Sequence, residues 1–523
     1  MLHNLQNLES LGIYECSSLI SEVGTYNSNT VACQLVALHD MELVYLPCLT
    51  RTGLNSVAHS GAITLYPNLE YLTIWDCDSL ENVFLPSIAR ELIHLEEISI
   101  VSCEIMKEII GAGEQEISDD IVFPEMRVVQ VTHLPNLTSF WCYHSGKANA
   151  YKVKFPNLEN FELSRGEINL ESIELGRNDS TCKLMSLDIS SDNDVQLPCE
   201  WNFWLNNLEI LILRHCWSNE MKSLSFQRLK VLKICSSGFS SLFTFSVFES
   251  LQQLQTLVIS NCALLEENVE DLHGDELSGM NMKTITLFQL QSVILVDLPN
   301  LKCLIHSANY ECHMPALKVV EVDNCGLSSL FTCSVFSSLQ QLERFQVSNC
   351  RLLEGIVEDV RGDKASDKIY KIITLFQLSS VFLEELPNLK SFLHSADYEC
   401  HMPSLKEVEV DSSGLSTLFR CSVFRDLQQL EKLKVSNCRL LKGIVEDASG
   451  GENSGKNITL FRLFSVVLRG LPNLKSFIDH ADYECRMPHI DEVEVDNCGF
   501  STPFSVFPYL QQLENSQVSI EDA

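Results

Sequence analysis

LKVVEVDNC, residues 317–325, decides the fold. Val320 and Val322 alternate with Glu321 and Asp323, the period-two pattern of a half-buried strand. Leu317 stands three residues ahead of Val320, and Cys325 closes the segment eight residues after Leu317. Working outward, the template apolar-x-x-apolar-x-apolar recurs nineteen times. Its first residues are Leu8, Cys33, Leu69, Leu95, Met126, Leu158, Leu184, Leu208, Leu229, Leu254, Leu290, Leu317, Leu342, Leu378, Leu405, Leu430, Leu463, Ile490 and Leu513. The mean spacing is about 28 residues, within the range of one strand plus one return per repeat. Single strands cannot bury their apolar faces alone, so consecutive repeats must stack over a shared core.

Nine copies carry Cys eight residues after the first apolar position: Cys16, Cys77, Cys103, Cys216, Cys262, Cys325, Cys350, Cys438 and Cys498. That completes the L-x-x-L-x-L-x-x-N/C pattern of a leucine-rich repeat. The expected fold is an α/β repeat solenoid, a leucine-rich-repeat horseshoe. A parallel sheet lines its concave face, and loops or short helices such as SVFSSLQQ (334–341) form its convex side. A longer period is superimposed. LQQLQTLVISNC (251–262) returns as LQQLERFQVSNC (339–350) and LQQLEKLKVSNC (427–438), an offset of 88 residues each time. One solenoid over 1–523 is expected, irregular over 1–225 and built over 226–523 from tandem blocks of three repeats. Each block holds one polar insertion, EDLHGDELSGMNMKT, EDVRGDKASDKIYKI or EDASGGENSGKN, read as a convex loop.

Composition narrows the function. Against 37 basic residues stand 70 acidic ones, a formal net charge of −33. Such a chain repels nucleic-acid phosphates and anionic membranes and attracts basic partners. No stretch is long and apolar enough to span a bilayer, so membrane insertion is not expected. The N-terminus lacks the basic and apolar regions of a secretory signal.

Apparent chemical motifs dissolve on inspection. GGENSGKN (450–457) approaches a phosphate loop, but ITLFRL, a strand approach, follows it where a helix is needed, and Asn457 replaces the magnesium-binding hydroxyl. Cys312 and Cys400 each precede a histidine in YECHMP, whereas the third copy has Arg486 there, so no metal or cofactor is expected. The one-per-repeat cysteines read as small buried residues at the strand exit. No nucleophile–base grouping occurs, and the chain is not expected to be an enzyme. The outward positions of the expected strands are more informative. Glu321 and Asp323 return as Glu409 and Asp411 and as Glu494 and Asp496, three strands or ~14 Å apart. Arg344 and Lys432 on neighbouring strands are expected to neutralise them in part. Two readings stand for this face, an ordinary solvated surface and a set of repeated contacts for a partner protein.

The LPNL segments (298–301, 386–389, 471–474), PNLEYLTIWDC (67–77), PNLENFEL (156–163) and LEGIVED (353–359) before a polar loop form a combination. Together they resemble the leucine-rich-repeat region of plant intracellular nucleotide-binding disease resistance proteins of the coiled-coil class. The resemblance implies a cytoplasmic recognition module of plant defence. Its partners would be a pathogen effector, a guarded host protein or an upstream nucleotide-binding domain held in autoinhibition. The alternative is an acidic cytosolic leucine-rich-repeat inhibitor or adaptor binding a basic protein, although such inhibitors alternate near-equal repeats and spacings here run from 21 to 36 residues. A ubiquitin-ligase substrate arm and a membrane-receptor ectodomain are less well matched. LQNLESLGIYEC (5–16) begins the chain without a capping segment, so an upstream domain is expected to cover that edge.

Overall fold

The computed structural model describes residues 7–19, 35–52, 54, 66–111, 120–141, 152–164, 173–175, 183–190, 205–215, 226–269, 283–303, 310–358, 371–392, 398–446, 457–478, 484–499 and 517–521. The chain divides into two compact units, Met1–Gly238 and Phe239–Ala523. In the first, the ladder strands are Ser10–Tyr14, Asp40–Val44, Tyr71–Trp75, Glu97–Val101, Val128–Thr132, Asn160–Ser164, Ser186–Ser190, Ile210–Arg214 and Val231–Cys235. Each pairs in parallel with the next. The second unit repeats the arrangement with Thr256–Ser260, Ser292–Leu298, Val319–Cys325, Arg344–Ser348, Ser380–Glu384, Glu407–Asp411, Lys432–Ser436, Ser465–Leu471, Glu492–Cys498 and Gln517–Glu521. This is the parallel solenoid of stacked coils that leucine-rich repeats form.

The template explains the packing. In the second unit, Val320 pairs with Val293 and Phe345, and Val322 with Leu295 and Val347, so inward residues stack on inward residues. All six are buried. Burying each such side chain contributes roughly 1.5–3 kcal/mol. The residue seven positions after the first apolar one leaves the strand through the left-handed region in every repeat where it is described. Examples are Tyr45 (φ 55°), Asp76 (φ 52°), Asn324 (φ 48°), Asn437 (φ 54°) and Gly470 (φ 61°). Asn, Asp and Gly tolerate that conformation most readily. In several repeats where the next residue is Cys, its thiol donates to the carbonyl two residues back: Cys262 to Ser260 (3.3 Å) and Cys438 to Ser436 (3.1 Å).

The LPNL turns are tied across repeats. Asn300, Asn388 and Asn473 donate through Nδ2 to the carbonyls of Ala263, Arg351 and Arg439, each at 2.7 Å. The carbonyls of Pro299, Pro387 and Pro472 sit against Gly326, Gly414 and Gly499, where a Cβ would lie 2.1–2.2 Å from the oxygen. Only glycine permits that approach. On the return side, Cys333–Ser338 is helical and overlaps the segment expected to be a short helix, and its copies are Phe245–Ser250 and Cys421–Asp426. Much of the rest returns as short parallel strands, such as Lys283–Thr286 with Tyr310–His313.

Two starting points of the template are corrected. The second ladder strand is Asp40–Val44, with Met41 and Leu43 buried, so its repeat begins at Leu38 and not at Cys33, which lies outside the described residues. The last strand pairs Val493 with Val518 and Val495 with Ile520, placing its template two residues later than Leu513, itself outside the described residues. The three polar insertions fall almost entirely outside the described residues.

Candidate functional site

Outward residues of the ladder strands form rows across the sheet, because parallel register sets equivalent positions side by side ~4.8 Å apart. Glu321, Asp323, Glu409, Asp411, Glu494 and Asp496 all point outward and are half-buried between neighbouring strands. Glu321 lies opposite Gln346, and Asp323 opposite Ser348. Asp323 accepts hydrogen bonds from Ser348 Oγ (2.6 Å) and Asn349 Nδ2 (2.7 Å), and Asp411 from Ser412 Oγ (2.8 Å) and Asn437 Nδ2 (2.9 Å). These two aspartates therefore also hold the left-handed turn of the following repeat.

The expected cations are exposed but reach other groups. Register puts Arg344 opposite Val319, and its guanidinium lies over the Phe382 ring, 5.1 Å from the centroid, while donating to Gln346 (2.9 Å). Lys432 lies opposite Glu407, 3.8 Å from its carboxylate. Two of the acidic residues, Glu409 and Glu494, meet cations other than the expected ones. Lys434 forms an ion pair with Glu409, and Arg469 grips Glu494 through Nε (2.5 Å) and a terminal nitrogen (2.7 Å). The Arg469 guanidinium holds the Glu494 carboxyl below its usual range. Their signal was available in the rows, since Lys434 occupies the Glu321 position of its repeat and Arg469 the Asp323 position. Asp411, Lys434, Arg469 and Asp496 surround an open polar cleft of about 350 Å³.

A second outward feature is not visible in a template that begins its second repeat at Cys33. In the first unit, Tyr14, Val44 and Trp75 form one row, and Tyr45 tilts against Trp75 with ring centroids 6.0 Å apart. Tyr14, Tyr45 and Trp75 are 53, 48 and 45% exposed.

The remaining motifs are structural. Every cysteine among the described residues is a free thiol. Burial pushes the Cys77 and Cys103 thiols up to about 11 and 12, and Cys312 and Cys400 higher still. Cys325 and Cys350 are buried one repeat apart, and the hydrogen bond between them, with burial, pushes Cys325 up. Among the described residues no group of His, Cys, Asp and Glu is arranged to hold a metal ion, and no helix is long and apolar enough to cross a membrane. His313 contacts Glu311 and His401 contacts Asp426. Most of GGENSGKN lies outside the described residues, and its last residue opens the Asn457–Thr459 strand. A strand there offers no helix terminus for a phosphate.

Among solved structures, the chain is similar to a leucine-rich-repeat protein of Leptospira interrogans (12% identity, covering 83% of this chain and 91% of that one, TM-score 0.32). It is also similar to YopM of Yersinia enterocolitica (13%, 96% and 91%, TM-score 0.31) and to the plant peptide hormone receptor RGFR1 in complex with RGF2 (12%, 99% and 95%, TM-score 0.24). No curated protein sequence matches it. The family model for the leucine-rich repeats of plant disease resistance proteins of the RPS2-like kind matches residues 1–104, 212–351, 316–439 and 402–521, most of the chain. With the repeat geometry described above, this chain belongs to the leucine-rich-repeat family of RPS2-like plant disease resistance proteins.

Proposed function

We propose that this chain is the recognition region of a cytoplasmic plant immune receptor, sensing a pathogen effector or a guarded host protein through the outward face of its ladder. Leucine-rich repeats are in general non-catalytic scaffolds for protein contacts, and rows of side chains on a rigid sheet suit that role. The observation that carries the reading is the charge pattern of the second unit. Lys434 and Arg469 divide the acidic strands Glu407–Asp411 and Glu492–Cys498, giving bands of alternating sign across one surface. Alternating bands specify a partner's register more than its raw affinity. The contact residues would be drawn from Glu321, Asp323, Arg344, Glu409, Asp411, Lys432, Glu494 and Asp496. The same surface would hold a nucleotide-binding domain in autoinhibition before recognition. A second reading, an acidic adaptor for a basic protein, is favoured by the net charge of −33.

Expression in leaf tissue with the nucleotide-binding domain of an RPS2-like receptor tests this. The chain is expected to restrain cell death, and Glu409→Lys with Glu494→Lys to release it. Reversals that behave like the parent would remove this face from the contact, and a chain that restrains nothing would overturn the reading.

A further inference from the structure

The Tyr14, Tyr45 and Trp75 patch lies on other strands than the face just discussed. Two of its rings touch, while the Tyr14 ring folds back over Gly12 towards Glu42. Val44 bridges Tyr14 and Trp75 in register, and Tyr45 closes against Trp75 at 6.0 Å. By contrast, the exposed Phe288, Phe376 and Phe461 of the second unit lie in turns that recur once per three-repeat block, so they stand three repeats, ~14 Å, apart. A monomer leaves single apolar residues at its surface freely, but a contiguous aromatic patch marks a contact.

The rim of the patch selects the partner. Glu15, Tyr45 and Asp76 occupy equivalent left-handed positions in three successive repeats, so Tyr45 sits between two carboxylates. On the opposite side of the row, the Tyr14 hydroxyl donates to Glu42. Residues 1–106 contain thirteen acidic side chains and only two basic ones, Arg51 and Arg90, neither on a ladder strand. The carboxylates accordingly raise the phenol of Tyr14, chiefly through the Glu42 hydrogen bond, and that of Tyr71, chiefly through the Glu96 charge. Aromatic faces bordered by carboxylates suit a guanidinium, which stacks flat on a ring while its edge meets an oxygen.

We propose that the Tyr14–Tyr45–Trp75 patch docks an extended, arginine-bearing segment of another protein. Arginine side chains lie on the Trp75 and Tyr45 rings and turn their N–H edges to Glu42 and Asp76. Lysine is the poorer occupant, because its compact ammonium is strongly hydrated and cannot stack as a plane.

Titration calorimetry of the full chain with octa-arginine and with octa-lysine tests the proposal. A chain of net charge −33 binds any polycation weakly, so the informative variant leaves charge unchanged. Trp75→Ala with Tyr45→Ala is expected to weaken octa-arginine about tenfold and octa-lysine less than about threefold. An unchanged affinity for octa-arginine, or equal losses for the two peptides, overturns it. Should the double variant lose its circular-dichroism spectrum, Trp75→Leu takes its place: a loss of about threefold for octa-arginine supports the docking surface and no loss overturns it. Failure here leaves the reading of the second unit's face untouched, since the two surfaces share no residue.

Discussion

Along the strands between Ser10 and Val101, outward carboxylates meet neutral donors: the Tyr14 hydroxyl reaches Glu42, and Ser10 Oγ lies 3.2 Å from Asp40. Just outside the strands, His39 Nδ1 lies 2.9 Å from Glu70. Along the strands between Glu407 and Cys498, three outward carboxylates meet cations: Lys432 with Glu407, Lys434 with Glu409, and Arg469 with Glu494. The inward positions do not follow this difference. Leu72 and Ile74 in the first region, like Val408 and Val410 in the second, are buried and stacked in the same register. A period-two strand separates the two sets of residues by geometry, so the face changes its chemistry while the core stays constant.

The largest effect should show that the difference stops at the face. Burial raises the thiol of Cys77 in the first region and of Cys438 in the second. With Cys77 near 11 against an ordinary thiol near 9, its thiolate fraction at pH 8 falls about a hundredfold. Alkylation followed by peptide mass spectrometry is expected to label exposed Cys16 quickly and to spare both Cys77 and Cys438. Rapid labelling of Cys77 alone would carry the contrast into the core. The linked stability has a definite sign. These thiols bind protons more tightly folded than unfolded, so their contribution is intact below about pH 9 and is lost as pH rises towards 11 or 12. The melting temperature should therefore hold from pH 7 to 8.5 and fall between 9 and 11.

A smaller effect probes the regular blocks. Gly414→Ala drives a Cβ to 2.1 Å from the Pro387 carbonyl, a clash with backbone that no rotamer relieves. A loss of about 1–3 kcal/mol in urea unfolding is expected. A neutral result would mean that the turns of the second region yield as easily as irregular ones. The smallest effect compares the two faces directly. Lys434→Met should lower stability by no more than about 0.5–1 kcal/mol, since both partners are over a third exposed and solvent screens the pair. Glu42→Gln should leave stability unchanged or raise it, because it removes charge from a surface with no cation to lose. Equal losses for the two variants would erase the distinction.

The fold was legible because its signal is arithmetical: a leucine, two alternating inward residues and a small residue at fixed offsets. It blurred where another apolar run offered a rival starting point. Cys33, Val36 and Leu38 satisfy the template, yet Leu46 followed by Pro47 marks the same turn as Leu134-Pro135, and counting back from it gives Leu38. That shift of five residues hid Val44 and Tyr45, and with them the aromatic row. The acidic positions were legible from alternation alone. Their partners were not, because the nearest cation in sequence is not the nearest across the sheet. Arg344 precedes Gln346 and Ser348, which face Glu321 and Asp323, so it sits one step off the acidic rows.

The block period gives the molecule an unusual editing property. Leu339 and Leu427 open the same LQQLE segment at the same point of the coil, 88 residues apart. Excising residues 339–426 would set Leu427 directly after Ser338, where Leu339 now stands, with the reading frame and every neighbour relation preserved. Because a coil contacts only the coils beside it, such a recombination removes three strands, ~14 Å of face, and leaves no torn edge. Insertion is equally clean. Unequal crossing-over between copies can thus lengthen or shorten the binding surface in a single genetic event, while point substitution resets its charges one row at a time.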